Sequence, residues 1–194
     1  MHKDEVRRRV RASRRDRGPR ERQAASASLA DRVLGMPELR TATTVAAYVS
    51  TSAEPGTLPL REGLRERGIR VLLPVLQADD DLDWAVDEGP LEPGRRAAIA
   101  EPTGARLGAD AIRQAAVVVC PAAAVALDGT RLGHGGGSYD RALARTEALV
   151  IALVHDDELV EALPHDPHDR AVHVAVTPTR TVRLPVRAHS SPEG

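Results

Sequence analysis

The hydrophobic pattern divides the chain into short apolar runs and longer amphipathic stretches. The apolar runs are five to eight residues long and rich in β-branched residues, which is typical of buried strands. Strands are predicted at residues 45–49, 69–76, 116–120, 149–154 and 171–177. Helices are predicted at residues 3–17, 20–34, 109–115, 139–146 and 156–163, and around Leu60 and Leu64 after a cap at Thr57. This alternation indicates an α/β fold: three layers in a single domain, with a mostly parallel sheet covered on both faces.

One acidic region interrupts the alternation of strands and helices. Residues 79–94 are rich in turn formers, and Leu82, Trp84 and Val86 occupy every second position, which predicts a short exposed strand. The chain has no internal repeat and no sign of a second domain. We therefore expect one α/β domain over residues 1–187, which begins with a basic helix at residues 1–22. The remaining residues, 188–194, are expected to form a disordered tail.

Charge is distributed unevenly along the chain. The net charge of −1 does not favour bulk attraction to nucleic acid or to anionic lipid. Residues 1–22, however, carry ten Lys and Arg residues against four acids. This segment could be a transit peptide, a nucleic-acid-binding tail or a solvated helix. Its acidic residues argue against the first and its lack of aromatic residues against the second, so a solvated helix is favoured.

Composition also bears on compartment and partners. No apolar run approaches the length of a membrane span. The single cysteine, Cys120, stands in an apolar run and is predicted to be buried, so no disulfide framework is expected. A lone cysteine fits a reducing compartment. We expect a cytoplasmic protein, with a monomer favoured, that acts on small molecules and has neither nucleic acid nor a membrane as partner.

The most distinctive stretch runs over residues 128–141 and reads DGTRLGHGGGSYDR. Closely spaced glycines let successive N–H groups point at one anion, because they adopt positive φ without strain. Arg131 offers a guanidinium fork for phosphate oxygens, and Asp140 offers an oxygen ligand for magnesium. The stretch is neither a Walker A loop nor a dinucleotide fingerprint. It therefore indicates either a nucleotide phosphate site with its metal or a flexible surface turn.

The order Arg-Leu-Gly-x-Gly-x-Gly-x-Tyr-Asp-Arg resembles the signature of the 5-formyltetrahydrofolate cyclo-ligase (methenyltetrahydrofolate synthetase) family. The likeness extends from Lys3 to about Thr177. Further motifs follow in the family's order: Lys3 with Arg7 on the first helix, Glu54-x-x-Thr57 after an apolar strand, Glu101-Pro102, and Pro164-x-Asp166-x-His168-Asp169.

The resemblance implies a set of site residues. Implied ATP contacts are Lys3, Arg7, Arg131, Leu132, Gly133, His134, Gly135, Gly136, Gly137, Ser138 and Tyr139. Implied folate contacts are Val49, Glu54, His134, Gly135, Gly136, Gly137 and Ser138. Arg131, Tyr139 and Asp140 would be the catalytic residues, and Asp140 and Asp169 would hold Mg²⁺.

By the same resemblance, the expected reaction is the ATP-dependent closure of 5-formyltetrahydrofolate to 5,10-methenyltetrahydrofolate, through a phosphorylated formyl group. The chain departs from the family's pattern at three positions. The family usually has tyrosine where this chain has Ser138, commonly glutamine where it has Glu158, and phenylalanine where it has Leu127. The departures at Ser138 and Glu158 leave open a non-catalytic nucleotide- or folate-binding protein on the same scaffold.

The chain contains three aromatic residues, Tyr48, Trp84 and Tyr139. Each lies beside a stretch assigned to the site, and a pterin is a flat ring that binds between apolar and aromatic faces. Core packing is the competing interpretation, and it applies least to Tyr139, which stands in a polar loop.

Overall fold

Five parallel strands form the centre of the molecule in a computed structural model, which describes residues 2–96, 99–167 and 169–185. The main sheet has the strand order β12-β11-β9-β6-β1-β2-β3, with antiparallel pairing only at its two edges. Its strands are β1 (Thr44–Ala46), β2 (Arg70–Leu76), β3 (Leu82–Val86), β6 (Val117–Pro121), β9 (Leu149–Leu153), β11 (Val174–Val176) and β12 (Thr181–Arg183). The predicted tail at 188–194 lies outside the described residues.

Two small sheets and several helices complete the fold. One small sheet pairs β4 (Leu91–Pro93) with β5 (Ala100–Pro102), and the other contains β7 (Ala124–Ala126), β8 (Arg131–Leu132) and β10 (Leu159–Val160). The α-helices are α1 (Lys3–Asp16), α2 (Pro19–Leu34), α3 (Leu58–Glu66) and α4 (Ser138–Leu143). Short 3₁₀ helices cover Pro37–Arg40, Ala109–Gln114 and Asp156–Glu158. None of the helices in the described ranges combines the length and apolar character needed to cross a membrane.

The apolar strands bury both faces of the main sheet. Val45, Val117 and Ile151 point to one face, where they pack with side chains of α2 and α3. Their neighbours Ala46 and Val118 point to the other face, where residues of the 3₁₀ helix Ala109–Gln114 and of α4 cover them. Successive side chains of a strand alternate between faces, so a uniformly apolar strand requires a layer on each side. The predicted three-layer α/β fold in a single domain is confirmed.

Helix α1 lies on the small β7–β8–β10 sheet rather than on the main sheet. Val6 and Val10 are buried in a separate apolar cluster with residues of this sheet, while Arg8, Arg9 and Arg11 are exposed. The basic N-terminal segment is therefore a docked helix with one buried stripe and a solvated basic face.

A buried ion pair fixes the C-terminal half of α1. Arg14 Nε donates to Glu158 Oε1 at 2.7 Å, and Arg14 Nη2 donates to Glu158 Oε2 at 2.9 Å and to the Ala122 carbonyl at 2.7 Å. The His155 N–H donates to Glu158 Oε2 at 2.8 Å. Arg14 is 4% exposed and Glu158 1%. Burial alone lowers the pKa of Arg14, but the Glu158 carboxylate raises it by more, so the guanidinium stays charged.

Two sequence predictions are wrong, one about element type and one about exposure. The helix predicted at 156–163 is the 3₁₀ turn Asp156–Glu158 followed by β10, because Leu159 and Val160 extend to pair with β7. The strand predicted as exposed, β3, is buried: Trp84 has no exposed surface and packs with Ile112 of the covering 3₁₀ helix. In both cases a tertiary contact overrides the local pattern.

Other differences concern length and missed elements. Strand β1 ends at Ala46, three residues early, although the Ala47 N–H still donates to the Leu72 carbonyl at 2.9 Å. The helix predicted at 109–115 is a 3₁₀ helix, and α4 ends at Leu143 rather than at residue 146. The sequence pattern did not reveal β4, β5, β7, β8 or β12, each of which has only two or three residues.

We predict that Glu158→Ala lowers the free energy of unfolding by about 3–5 kcal/mol, because it leaves the Arg14 guanidinium buried without a counter-charge. Urea denaturation of the variant and the wild type measures the difference. The control is Glu161→Ala, an exposed residue three positions along the chain, with an expected change of about 0.5 kcal/mol or less. A loss below about 1 kcal/mol for Glu158→Ala would mean that the pair behaves as an exposed one.

Candidate active site

A cavity of about 410 Å³ opens at the carboxyl ends of the central strands. Tyr48 and Val49 follow β1, Leu76 ends β2, and Pro121 ends β6. The loop from β8 into α4, the N-terminus of α1 and the loop containing Asp169 complete its walls. Loops converge at this edge of a parallel sheet, which is where such folds bind ligands.

Lys3 binds two carboxylates at one end of the cavity. Its Nζ donates to Asp169 Oδ2 at 2.5 Å and to Asp166 Oδ2 at 2.8 Å. Burial lowers the pKa of Lys3, but the two carboxylates raise it by more, so the net pKa lies above its usual value. The first residue of α1 is thus tied to the loop that precedes β11, 166 positions away.

Arg7 lies one helical turn further along α1 and contacts the glycine loop. Its Nε donates to the Gly133 carbonyl at 3.0 Å, and its Nη1 donates to Asp4 Oδ1 at 2.7 Å. The guanidinium carbon lies 3.7 Å from the position that a Cβ on Gly135 would occupy. Lys3 and Arg7 therefore reach the same cavity from one face of α1, as their spacing of four predicts.

The glycine loop, residues 133–137, requires glycine at two of its positions. Gly135 has a φ of 108° and Gly137 a φ of 69°, and both values lie in the left-handed region that side chains disfavour. A Cβ on Gly133 would lie 2.9 Å from Arg131 Nη1. Because these positions lack a side chain, the backbone of the loop can lie in direct contact with Arg131 and with a bound ligand.

Arg131 is committed to protein partners rather than to open solvent. It is 3% exposed, and its Nη2 donates to Asp140 Oδ1 at 2.7 Å while Nη1 donates to the Pro121 carbonyl at 3.1 Å. The Arg170 N–H also donates to Asp140 Oδ1, at 3.1 Å. Arg131 thus orients the Asp140 carboxylate toward the cavity that both residues line.

Glu54 joins the loop after β1 to the glycine loop. His134 Nε2 lies 3.1 Å from Glu54 Oε1, and the Thr51 N–H donates to Glu54 Oε2 at 2.8 Å. Burial raises the pKa of Glu54, but these hydrogen bonds lower it by more, so the carboxylate is ionised at neutral pH. Both carboxylate oxygens are therefore engaged.

Thr57 shapes the same loop in a way the sequence did not predict. It precedes α3 but makes no capping hydrogen bond. Its Oγ1 instead donates to the Tyr48 carbonyl at 2.7 Å and accepts from the Ser50 N–H at 3.2 Å. These bonds close the loop over residues 48–57 and hold Val49 and Glu54 at the cavity wall.

The other part of the cavity wall is mainly apolar. Tyr139 packs against the clusters on both faces of the sheet, and its hydroxyl is buried without a hydrogen-bond partner among the described residues. Burial raises the pKa of Tyr139 well above its usual value. The neighbouring wall residues are Tyr48, Val49, Pro74, Leu76, Leu82, Ile99 and Ala100, with one carboxylate, Glu101.

The structure gathers all of the sequence-predicted site residues around this one cavity. His168, which stands in one of the quoted motifs, lies outside the described residues. Trp84 is a core residue and does not line the cavity, whereas Tyr48 and Tyr139 do. Cys120 is fully buried, as predicted, and burial raises the pKa of its thiol to about 11.

Some cavity residues were absent from the predicted set. Three of them are charged: Arg96, Asp166 and Glu101. Others are apolar wall residues from β2, β3 and the segment before β5, and nothing in the sequence distinguishes such residues from those of the core. Glu101 and Asp166 do stand in the quoted motifs, so their positions could have been included. Two of the three departures from the family pattern, Leu127 and Glu158, do not line the cavity, whereas Ser138 does.

Comparisons with known proteins place relatives of this chain in one family. The sequence model of the 5-formyltetrahydrofolate cyclo-ligase family matches residues 1–178. A 5-formyltetrahydrofolate cyclo-ligase of Mycolicibacterium smegmatis is 43% identical over 150 residues, which cover 72% of this chain and 75% of that protein. One of Escherichia coli is 32% identical over 177 residues, which cover 88% and 97%.

Solved structures give the same result. The NMR structure of Aquifex aeolicus 5,10-methenyltetrahydrofolate synthetase has a TM-score of 0.82 at 26% identity, with both chains covered completely. A Mycoplasma pneumoniae 5,10-methenyltetrahydrofolate synthetase has a TM-score of 0.73 at 17% identity over 92% of this chain and 99% of that one, which supports the fold alone. The resemblance found in the sequence motifs is confirmed, and the chain belongs to the 5-formyltetrahydrofolate cyclo-ligase family.

Proposed function

We propose that this protein closes 5-formyltetrahydrofolate to 5,10-methenyltetrahydrofolate, with conversion of ATP to ADP and phosphate. The observation that carries the proposal is the composition of the cavity at the carboxyl ends of the central strands. Lys3, Arg7 and the glycine loop form a part suited to a triphosphate, and an apolar slot that contains Tyr48 and Tyr139 forms a part suited to a pterin.

The proposed chemistry has two steps. The formyl oxygen attacks the γ-phosphorus of ATP, so that an O–P bond forms and ADP leaves. N10 of the folate then attacks the activated carbon, the C–O bond breaks, phosphate leaves, and N10 loses its proton. The first step is necessary because an amide-like oxygen is a poor leaving group until it is phosphorylated.

In this proposal the protein positions groups and neutralises charge, as in other phosphoryl transfers. Lys3 and Arg7 bind phosphate oxygens, and the N–H groups of the glycine loop orient the γ-phosphate. Val49 and Glu54 contact the folate. Tyr139 lies in the first turn of α4, directly after the glycine loop, and also lines the apolar slot, so it stands where the two substrates would meet.

The residues present fit a magnesium ion. Four basic side chains and five carboxylates line the cavity, so the net charge of the whole lining does not attract a triphosphate. A bound divalent cation would make that net charge positive. Asp140 and Asp169 would hold the ion. No group of three or more metal-binding side chains occurs in the described part of the chain, but magnesium commonly uses one or two carboxylates plus substrate phosphates. When bound, the ion would neutralise developing charge on the phosphates.

The first test is the activity itself. Purified protein with 5-formyltetrahydrofolate, ATP and magnesium is expected to generate the near-ultraviolet absorbance of the methenyl product and to release one ADP per product. Binding of both ligands without turnover would establish the non-catalytic alternative. No product and no binding, with folding verified by circular dichroism, would contradict the proposal.

The second test concerns the metal. We expect Asp140→Asn and Asp169→Asn each to lower turnover at limiting magnesium by about 10–100-fold or more, since loss of a ligand costs at least as much as loss of its supporting partner. The control is Asp110→Asn, whose side chain is 74% exposed. Thermal unfolding is measured in parallel, because Asp140→Asn also leaves Arg131 without its partner. A folded variant with full turnover at limiting magnesium would exclude that residue as a ligand.

The third test concerns Lys3, the only lysine among 27 basic residues. Lys3→Ala should raise the KM for ATP by about 10–100-fold, the value of a hydrogen bond to a charged group, with the KM for folate nearly unchanged. Lys3→Arg should recover only part of the loss, because a guanidinium is wider than an ammonium. Arg8→Ala, an exposed change on the same helix, is the control. Unaltered ATP kinetics after deletion of residues 1–5 would contradict the assignment.

A further inference from the structure

Glu101 differs from the other carboxylates that line the cavity. Asp140 pairs with Arg131, Asp166 and Asp169 with Lys3, and Glu54 with His134. Glu101 is 9% exposed and has no basic partner among the described residues. A buried carboxylate without a counter-charge or a full set of donors costs free energy, so the site retains an unmet demand for hydrogen-bond donors.

The Glu101 side chain is held in one place by its own hairpin. Its Oε1 accepts a hydrogen bond from the Leu76 N–H at the end of β2, at 3.0 Å. On the other side it packs over Gly94, where an added Cβ would lie 2.4 Å from the Glu101 carboxyl carbon. The carboxylate is thus fixed between β2 and the β4–β5 connection, with Oε2 left as an acceptor without a partner in the described residues.

Apolar side chains of β2, β3 and the β4–β5 connection line the cavity beside this hairpin, and Arg96 of the same connection pairs with Asp80. Pro74, Leu76, Leu82 and Ile99 line the same part of the cavity. A ligand group that fits here has apolar faces and one edge with hydrogen-bond donors. Glu54 is a weaker candidate for that edge, because the Thr51 N–H and His134 already occupy its two oxygens.

We propose that Glu101 is a substrate-specificity residue, which accepts hydrogen bonds from the donor edge of the pterin, its ring N3–H and 2-amino group. This inference rests on the proposed function, since it requires a reduced folate in the cavity. It assigns the pterin to the slot between β2 and β5, with the formyl group directed toward the glycine loop. Glu101 then discriminates the aminopyrimidinone ring from flat rings that lack this pair of donors.

The experiment is calorimetric titration of the full-length chain with 5-formyltetrahydrofolate and, separately, with a non-hydrolysable ATP analogue. Glu101→Gln keeps an acceptor for the Leu76 N–H but places an amide where the ring donates. It should raise the Kd for the folate by about tenfold or more and change that for the nucleotide by less than about twofold. Glu92→Gln changes the exposed cross-strand neighbour of Glu101 and should alter neither affinity.

A second ligand separates recognition from a structural role. A 5-formyltetrahydrofolate analogue with methyl in place of the 2-amino group should bind the wild type more weakly than the natural folate by about the same factor. Glu101→Gln should bind the two folates with nearly equal affinity, a result that general destabilisation would not produce. Wild-type folate affinity in Glu101→Gln, or equal losses for folate and nucleotide, would overturn this inference alone. Absence of folate binding to the wild type would overturn it together with the proposed function.

Discussion

Docking of α1 through the buried Arg14–Glu158 pair is the interaction on which the rest of the site depends. Lys3 and Arg7 line the cavity, yet the apolar stripe of the helix that carries them packs on the small sheet rather than on the main sheet. Eleven residues separate Lys3 from Arg14, which is about 16 Å of helix. A tilt of about 4° at the pair would displace Lys3 by about 1 Å, and such misplacement is costly in catalysis. A fully hydrogen-bonded ion pair restricts this tilt more than apolar contacts alone, because its geometry is directional.

The charges of the cavity are arranged as internal pairs. Lys3 lies between two carboxylates, Arg131 holds Asp140, and His134 contacts Glu54. These contacts place the side chains in defined positions, which reduces the ordering cost when a ligand binds. They also set a requirement, because a polyanionic substrate must compete with carboxylates for the same cations. Glu101 is the exception, because it has no basic partner among the described residues.

Sequence reasoning reached the fold class and most of the site because their signals are local. A uniformly apolar run indicates a strand that is buried on both faces, whichever elements cover it. The glycine loop is similarly explicit, since positive φ at Gly135 and Gly137 restricts the residue type. The predictions were wrong at residues 156–163 and at Trp84, because partners distant in the sequence decide the secondary structure of the first and the burial of the second. The residues around Glu158 do not reveal that Arg14 of α1 pairs with it. The residues around Trp84 likewise do not reveal that a 3₁₀ helix covers it.

The sequence by itself therefore determined the α/β class, the family and the motif residues that line part of the cavity. Only the tertiary structure decided how these residues pair. It turned Arg131 toward Asp140 and tied Lys3 to the Asp169 loop. It placed Glu158, a departure from the family pattern, in the support of α1, and among the described residues it gave Glu101 no basic partner. The physical reason is that propensity and periodicity act over a few neighbouring residues. Charge pairing and burial, in contrast, depend on elements as far apart as 166 positions along the chain.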